Sequence, residues 1–485
     1  MKTSKQNKLH WTMCLECQGL GKKKRRIRKQ DRLRYQKALV VFNKSDGQGK
    51  PPTPLKHSLY PCEKCNGSGI IPSATQPIPD TDNYPHIAII GGGIGGVALA
   101  VACLHRNIPF TLYERDHNFD ARSQGYGLTL QQASKAMSGF GILELDAGII
   151  STRHVVHTTD GTVIGEWGFR KWMQTDSQNK GKKTNVHIPR QSLRLALLDQ
   201  LPSHNDVQWG HKLIDFKINE GEKTELNFQV DGQIIKTYAD LVVGADGIRS
   251  TVRKLLIGED HSPLRYLDCI VILGICPLKN LKGIESDLLD SATVFQTANG
   301  NERIYMMPFS SDSIMWQLSF PMAENDAKLL SSQGSKALKK EACKRTLWHN
   351  PIPQIMEATN ESQISGYPVY DRALLTDEEL SQERQITLLG DAAHPMSPFK
   401  GQGANQALLD ALSLARGITK GCKWSSDWKE NGIREQVLTE FEAEMLARST
   451  SKVKDSAAAA KFLHSEIVLL KDDAPRGSTL KKNDK

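Results

Sequence analysis

One stretch constrains the fold of this chain more than any other: residues 86–114, HIAIIGGGIGGVALAVACLHRNIPFTLYE. The uninterrupted apolar run Ile87–Ile90 is what a strand buried on both faces of a parallel sheet requires. It leads into Gly91, Gly93 and Gly96 at GxGxxG spacing, with Ile94 and Gly95 between the last two, and then into an Ala/Val/Leu helix. A second apolar strand, Phe110–Tyr113, ends at Glu114, 23 residues after Gly91. This order is that of a βαβ unit built to hold a dinucleotide pyrophosphate. Gly91 permits the tight turn, Gly93 lets the backbone approach the phosphates, and Gly96 lets helix and strand pack closely. The helix N-terminus offers its free N–H groups to the phosphates. Glu114, followed by Arg115, can accept hydrogen bonds from a ribose diol. An acid there disfavours a 2′-phosphate, which selects FAD or NAD over NADP as the tightly held nucleotide.

Two later segments also run from a buried strand into glycines. In residues 240–253, DLVVGADGIRSTVR, the strand Leu241–Val243 ends in Gly244-Ala245-Asp246-Gly247. In residues 385–410, QITLLGDAAHPMSPFKGQGANQALLD, the strand Ile386–Leu389 reaches Gly390 and Asp391. A loop containing Pro398 and Gly401 follows, and a helix starts near Gly403, Ala404 and Asn405.

The three segments in this order resemble the class A flavoprotein monooxygenases, the p-hydroxybenzoate hydroxylase-like family, over roughly residues 86–465. The resemblance implies bound FAD, with Asp246-Gly247 near the flavin and the path of the nicotinamide donor. It implies Asp391 on the ribityl chain, and the helix near Gly403 with its positive end towards the flavin. Arg190, in HIPRQSLRLAL, matches the family's R-x-x-L helix start, whose arginine lies against the flavin. The stretch around Arg122 is similar to the tetracycline-inactivating branch, where an arginine faces the flavin, but Thr129 stands at or near a position that is acidic in that branch. The resemblance further implies NADPH or NADH as a transient electron donor and a flavin C4a-hydroperoxide as oxygenating species. The substrate would be a small aromatic or polycyclic molecule, oxidised with molecular oxygen. Two alternatives stay open: a reductase or dehydrogenase of the same fold without oxygen transfer, and a redox-sensing flavoprotein recruited by its N-terminal segment to nucleic acid or protein. No catalytic base is identifiable; His187 and His394 read as structural.

The N-terminal segment differs in kind. Cys14-Leu-Glu-Cys17-Gln-Gly-Leu-Gly21 and Cys62-Glu-Lys-Cys65-Asn-Gly-Ser-Gly69 are two copies of CxxCxGxG. Four thiolates from two glycine-rich knuckles suit one closed tetrahedral Zn2+ site. The repeats resemble the zinc-binding repeats of DnaJ-type chaperones. Residues 1–83 carry 17 Lys/Arg against 6 Asp/Glu, so the basic excess of the whole chain (net +9) lies here. Ten of these basic residues fall in Lys22–Lys37, a run that fits a solvated helix, a nucleic-acid or protein contact, or a nuclear address in a eukaryote.

The expected architecture is α/β: a Rossmann-like FAD-binding domain, an antiparallel β-sheet substrate domain, a C-terminal helix and a small N-terminal zinc module. The expected boundaries are a zinc module at 1–70, a linker at 71–85, FAD-binding parts at 86–263 and 383–432, and a substrate sheet at 264–382. A helical segment at 433–470 and a disordered tail at 471–485 complete the chain. No apolar run is long enough to cross a bilayer and no secretory signal is legible, so a cytoplasmic location is expected.

Overall fold

The computed structural model of the chain describes residues 9–45, 50–55, 58–121, 126–174, 185–218, 223–381, 383, 385–422 and 428–475. Its central sheet has five parallel strands in the order Val207–Gln208, Phe110–Tyr113, Ile87–Ile90, Leu241–Gly244 and Ile386–Leu388. The strands of the three glycine motifs are therefore neighbours. Their registers pair Ile90 with Gly244 and Gly244 with Leu388, so Gly91, Ala245 and Gly390 leave the sheet at one edge. Ile87, Ala88 and Ile89 are fully buried, as a central parallel strand covered on both faces must be. The helix Ile94–Leu104 packs against the helix Gly403–Gly421, and both begin at that edge.

A second sheet has seven strands in the order Val163–Trp167, Arg153–His157, Thr293–Ala298, Arg303–Ser310, Ser313–Pro321, Leu264–Pro277 and Ile364–Arg372. Alternation along its strands decides which face does what. Ile304, Met306, Ile314, Trp316 and Leu318 enter a core covered by the helices Glu324–Ser332, Ser335–Arg345 and Ile352–Ala358. Arg303, Tyr305, Met307, Met315 and Gln317 point the other way, into the cavity described below. Gly274 sits where a side chain would strike the Trp316 ring, at 2.3 Å from a built Cβ.

The sequence places this sheet at 264–382 and antiparallel. The structure adds two strands from residues 153–167, and Arg153–His157 runs parallel to Thr293–Ala298. Partners about 140 residues apart leave no turn signal between them, which hides such a pairing from sequence patterns. The C-terminal helix Thr439–Phe462 follows a π-turn at Arg434–Leu438. Arg434 pairs with the buried Glu442 at 2.7 Å, and Glu442 accepts from Thr387, tying this helix to the last motif strand. The tail expected from Lys471 onward begins in order: Asp472 donates its N–H to Ile164 O, and Asp473 accepts from Glu166 N. Residues 476–485 lie outside the described residues.

In the N-terminal segment His10–Met13 pairs with Ile70–Ser73, and Lys22–Lys24 with Leu59–Pro61. The helix Lys29–Lys44 buries no residue, so the basic run is largely a solvated surface. The stretch expected to be a linker, 71–85, starts inside a strand and is bonded to the enzyme along its length. Ile78 O accepts from Asn107 Nδ2, Asp80 N donates to Asn107 O, and Asn83 O accepts from Trp428 Nε1. Among the described residues no helix is long and apolar enough to cross a membrane.

Candidate active site

A cavity of about 850 Å³ runs from the glycine edge of the parallel sheet to the open face of the second sheet. That volume is at the upper end of the range for small-molecule and cofactor sites. Residues from three separated motifs line it: Gly91, Gly93, Ile94 and Gly95; Asp246; Gly390, Asp391, Pro398, Gly401, Gly403 and Ala404. Glu114, Arg115 and Arg190 also reach it. Two expected contacts do not. Gly96 lies behind the turn, where a built Cβ would stand 1.9 Å from Gly91 O, so its glycine serves strand–helix packing. Asn405 is buried, and its amide is fully used: Oδ1 accepts from Gln131 N and Ala133 N, while Nδ2 donates to Thr129 O and Gly401 O. It braces the loop and contacts nothing in the cavity. Arg122 lies outside the described residues.

Asp391 has no protein donor among the described residues, and its carboxylate faces the cavity. Its deep position raises it above the ordinary carboxylate range, an effect that His394 and Arg190 oppose. Its neighbour Asp410 is buried and fully engaged, accepting from Gly390 N (2.9 Å), His394 Nε2 (2.7 Å) and Arg448 Nη2 (2.8 Å). Burial would push Asp410 up, but these partners hold it below its ordinary value. The network fixes the Gly390–Asp391 turn and leaves Asp391 the free acceptor of the pair. His394 is thus structural, as its place in the loop suggests. His187, bonded to Thr129 and Ser151, is pushed down to about 3 by burial and by His154, which keeps it neutral.

Gly93 has no heavy atom within 4 Å of a built Cβ, so this part of the turn opens on empty space. Beside it Glu114 accepts from Gly92 N (2.7 Å) and Asp116 N (2.9 Å), which closes the turn from below. Asp246 caps the helix after its own motif, accepting from Thr251 N at 2.7 Å and from Ser250 Oγ. Two arginines brace the site unannounced by any motif reading. Arg194 donates to Gly92 O at 2.7 Å, and Arg253 donates to Ala392 O and Ala393 O at 3.0 and 2.9 Å. Arg194 follows Arg190 by four residues on one helix, and this i,i+4 spacing was the available signal.

The far wall is lined by Tyr305, Met307, Met315, Tyr367 and Phe399. Among them stands Arg303, 6% exposed, with Nε bonded to Gln296 Oε1 at 2.8 Å and its guanidinium 5.0 Å from the Tyr305 ring centroid. It makes no ion pair among the described residues. Burial lowers it to about 10, which still leaves it charged at neutral pH.

The residues fit a bound dinucleotide on two observations: an acceptor without a donor, Asp391, and an open backbone cradle at Gly93. The family described as FAD binding domain matches residues 85–429. The chain belongs to this family of FAD-dependent monooxygenases. Among curated proteins the monooxygenase is 30% identical over 331 residues to aurachin C monooxygenase/isomerase of Stigmatella aurantiaca, covering 68% of this chain and 79% of that one. Its fold is shared with Klebsiella pneumoniae HpxO, solved with FAD and uric acid (TM-score 0.63, 18% identity, 80% and 89% of the chains). It is shared too with Pseudomonas aeruginosa PqsL in complex with 2-aminobenzoylacetate (TM-score 0.63, 20% identity, 82% and 100%). The curated monooxygenase relative favours oxygen transfer over the reductase and redox-sensor alternatives.

Proposed function

We propose that the monooxygenase hydroxylates a small aromatic or polycyclic substrate bearing an acidic oxygen, with NADPH or NADH as transient reductant. The observation that carries the substrate class is Arg303. A buried cation without an anionic partner costs several kcal/mol, and an anionic ligand would relieve that cost. Its terminal N–H groups have no protein acceptor among the described residues, and the residue lines the cavity wall. The amides of Gln296 and Gln317 stand beside it, with Met307, Met315 and Phe399 supplying apolar surface for a ring. Holding a phenolate or enolate here favours the ionised form and raises the electron density of the ring to be attacked. The apolar walls exclude water from the reacting atoms. Uric acid and 2-aminobenzoylacetate, bound by the structural neighbours, are small molecules in keeping with such a slot.

When bound, FAD supplies the electron transfer and oxygen activation. In this reading Gly91, Gly93, Ile94 and Gly95 would hold its phosphates, Glu114 and Arg115 its adenosine ribose, and Asp391 its ribityl hydroxyls. Asp246 and Arg190 flank the flavin, and Pro398, Gly401, Gly403 and Ala404 border its ring. The positive end of the helix Gly403–Gly421, which opens on the cavity, would stabilise negative charge on a reduced flavin bound there.

Rapid-mixing reoxidation of the reduced enzyme with phenolic, enolic and neutral aromatic candidates tests the oxygenase reading. Hydroxylated product in proportion to enzyme is expected with an acidic substrate; hydrogen peroxide alone with every candidate would defeat it. Arg303→Met should raise KM for that substrate by about 10- to 100-fold, the equivalent of one hydrogen bond to a charged group, with flavin content unchanged. Arg303→Lys should recover part of the loss.

The N-terminal cysteines carry a separate reading. The Sγ atoms of Cys14, Cys17, Cys62 and Cys65 all lie within 4.8 Å of one another, and the Cys17–Cys65 pair is at 3.7 Å. A zinc tetrathiolate with bonds of about 2.3 Å has tetrahedral edges of about 3.8 Å. Gly21 N and Gly69 N donate to Cys17 Sγ and Cys65 Sγ, the donors a thiolate needs. We infer that this cluster would hold Zn2+ in a closed, structural site, since four protein ligands leave no position for substrate.

A further inference from the structure

Two arginines of the flavin domain reach into the cysteine knuckles. Arg106, fully buried just beyond the helix Ile94–Leu104, donates from Nε to Gly19 O at 3.3 Å and from Nη2 to Ser68 O at 3.5 Å. Arg416, on the helix Gly403–Gly421, donates from Nη2 to Gly67 O at 3.1 Å and to Ser68 O at 3.0 Å. These carbonyls belong to the two turns whose N–H groups face the sulfurs of Cys17 and Cys65. Neither arginine forms an ion pair with Asp or Glu among the described residues. Both guanidiniums instead reach the backbone of the turns that carry Cys17 and Cys65, and they meet at Ser68 O.

Two enclosed like charges side by side are unfavourable unless something negative lies between them. A divalent ion with four thiolates carries a net charge of −2, and the two guanidiniums carry +2. We propose that Arg106 and Arg416 are the countercharges of the metal–tetrathiolate site, which makes that site a joint structure of the N-terminal segment and the flavin domain. The inference rests on the zinc reading above and goes beyond it, because it assigns half of the site's electrostatics to residues more than 40 and 350 positions away from Cys65.

The packing agrees. Gly21 is tightly enclosed, with a built Cβ 2.2 Å from Gly67 O and 2.7 Å from Arg416 Nη2. Gly69 is equally confined, at 2.3 Å from Gly19 O and 3.0 Å from Arg106 Nη2. Trp11 is buried against Gly141, and Gly19 touches Thr419. The two helices that deliver the arginines are the same two whose N-termini open on the cavity, so the knuckles seat on their opposite ends.

The experiment is a chelator challenge on the full-length protein. Metal content is measured first by elemental analysis, and then the rate of zinc transfer to a chromogenic chelator is followed. Wild type is expected to hold one equivalent of zinc; protein without bound metal after purification in zinc-containing medium would refute the zinc reading itself. Given a metallated wild type, Arg106→Gln and Arg416→Gln should each weaken zinc retention by about 10- to 100-fold, as loss of an outer partner does elsewhere. Arg416→Lys, which keeps the charge, should restore most of it. Retention equal to wild type in both Gln variants would overturn the proposal. If the Gln variants do not fold, a soluble and metallated Arg416→Lys variant supports it, and an Arg416→Lys variant that also fails overturns the role of charge.

Discussion

Gly93→Ala is expected to give a folded protein that has lost most of its FAD. The backbone there is extended at φ −73°, which alanine adopts freely, and the built Cβ meets no protein atom within 4 Å. The change removes a favourable helix N-cap residue, a cost of about 1 kcal/mol at most. The space that the methyl enters is the space assigned to the pyrophosphate. Displacing a phosphate from backbone donors forfeits a charge-assisted hydrogen bond, about 1.5–3 kcal/mol, or roughly 10- to 100-fold in affinity. Flavin absorbance per protein and a melting curve of the apoprotein read the two effects separately. Full flavin occupancy in Gly93→Ala would place the phosphates elsewhere. Gly96→Val makes the contrasting case, since its branched side chain collides with Gly91 O and should lower apoprotein stability as well.

The second large effect is expected at Cys62→Ser. Cys62 is fully buried, and serine offers no thiolate, so the metal content should fall from about one equivalent to near zero. The loss extends beyond the knuckles, because Arg106 and Arg416 would then face a depleted negative charge. Breaking one side of a buried charge arrangement costs about 3–5 kcal/mol, and the penalty falls on the flavin domain, chiefly through the fully buried Arg106, with Arg416 only half-buried. Denaturant unfolding should therefore shift for the whole enzyme, and bound flavin should be released earlier in the transition. An unfolding curve matching wild type, with flavin retained, would show the knuckles to be energetically separate from the enzyme.

Much of this molecule was legible in its local patterns. Four consecutive apolar residues before Gly91 are what a central parallel strand requires, and strand, glycine turn, helix, second strand and Glu114 in that order mark a phosphate cradle. The strand–glycine grammar of the three motifs is local too, and so are the CxxC knuckles. Almost every motif residue that was expected at the cofactor does line one cavity. Arg122 aside, which lies outside the described residues, Gly96 and Asn405 do not line it, because Gly96 packs on Gly91 and the Asn405 amide is held by the loop, and sequence spacing does not report packing.

What local pattern left out is what distant residues do to one another. Arg303 reads as one charged residue at the start of an apolar strand; only the pairing of that strand buries it, without an anion, on the cavity wall. Arg106 and Arg416 look like ordinary helix-end cations, and the stretch 71–85 looks like a spacer between independent units. The sequence by itself determined the dinucleotide turn, the flavin family and two matching cysteine knuckles, because each is spelled out by short local motifs, strand into glycines or CxxCxGxG, that are legible one at a time. Only the tertiary structure decided that the cysteine knuckles and the glycine turns share two helices. Charge balance between buried groups is a property of distance in space, and the chain brings those groups together from positions up to 350 residues apart.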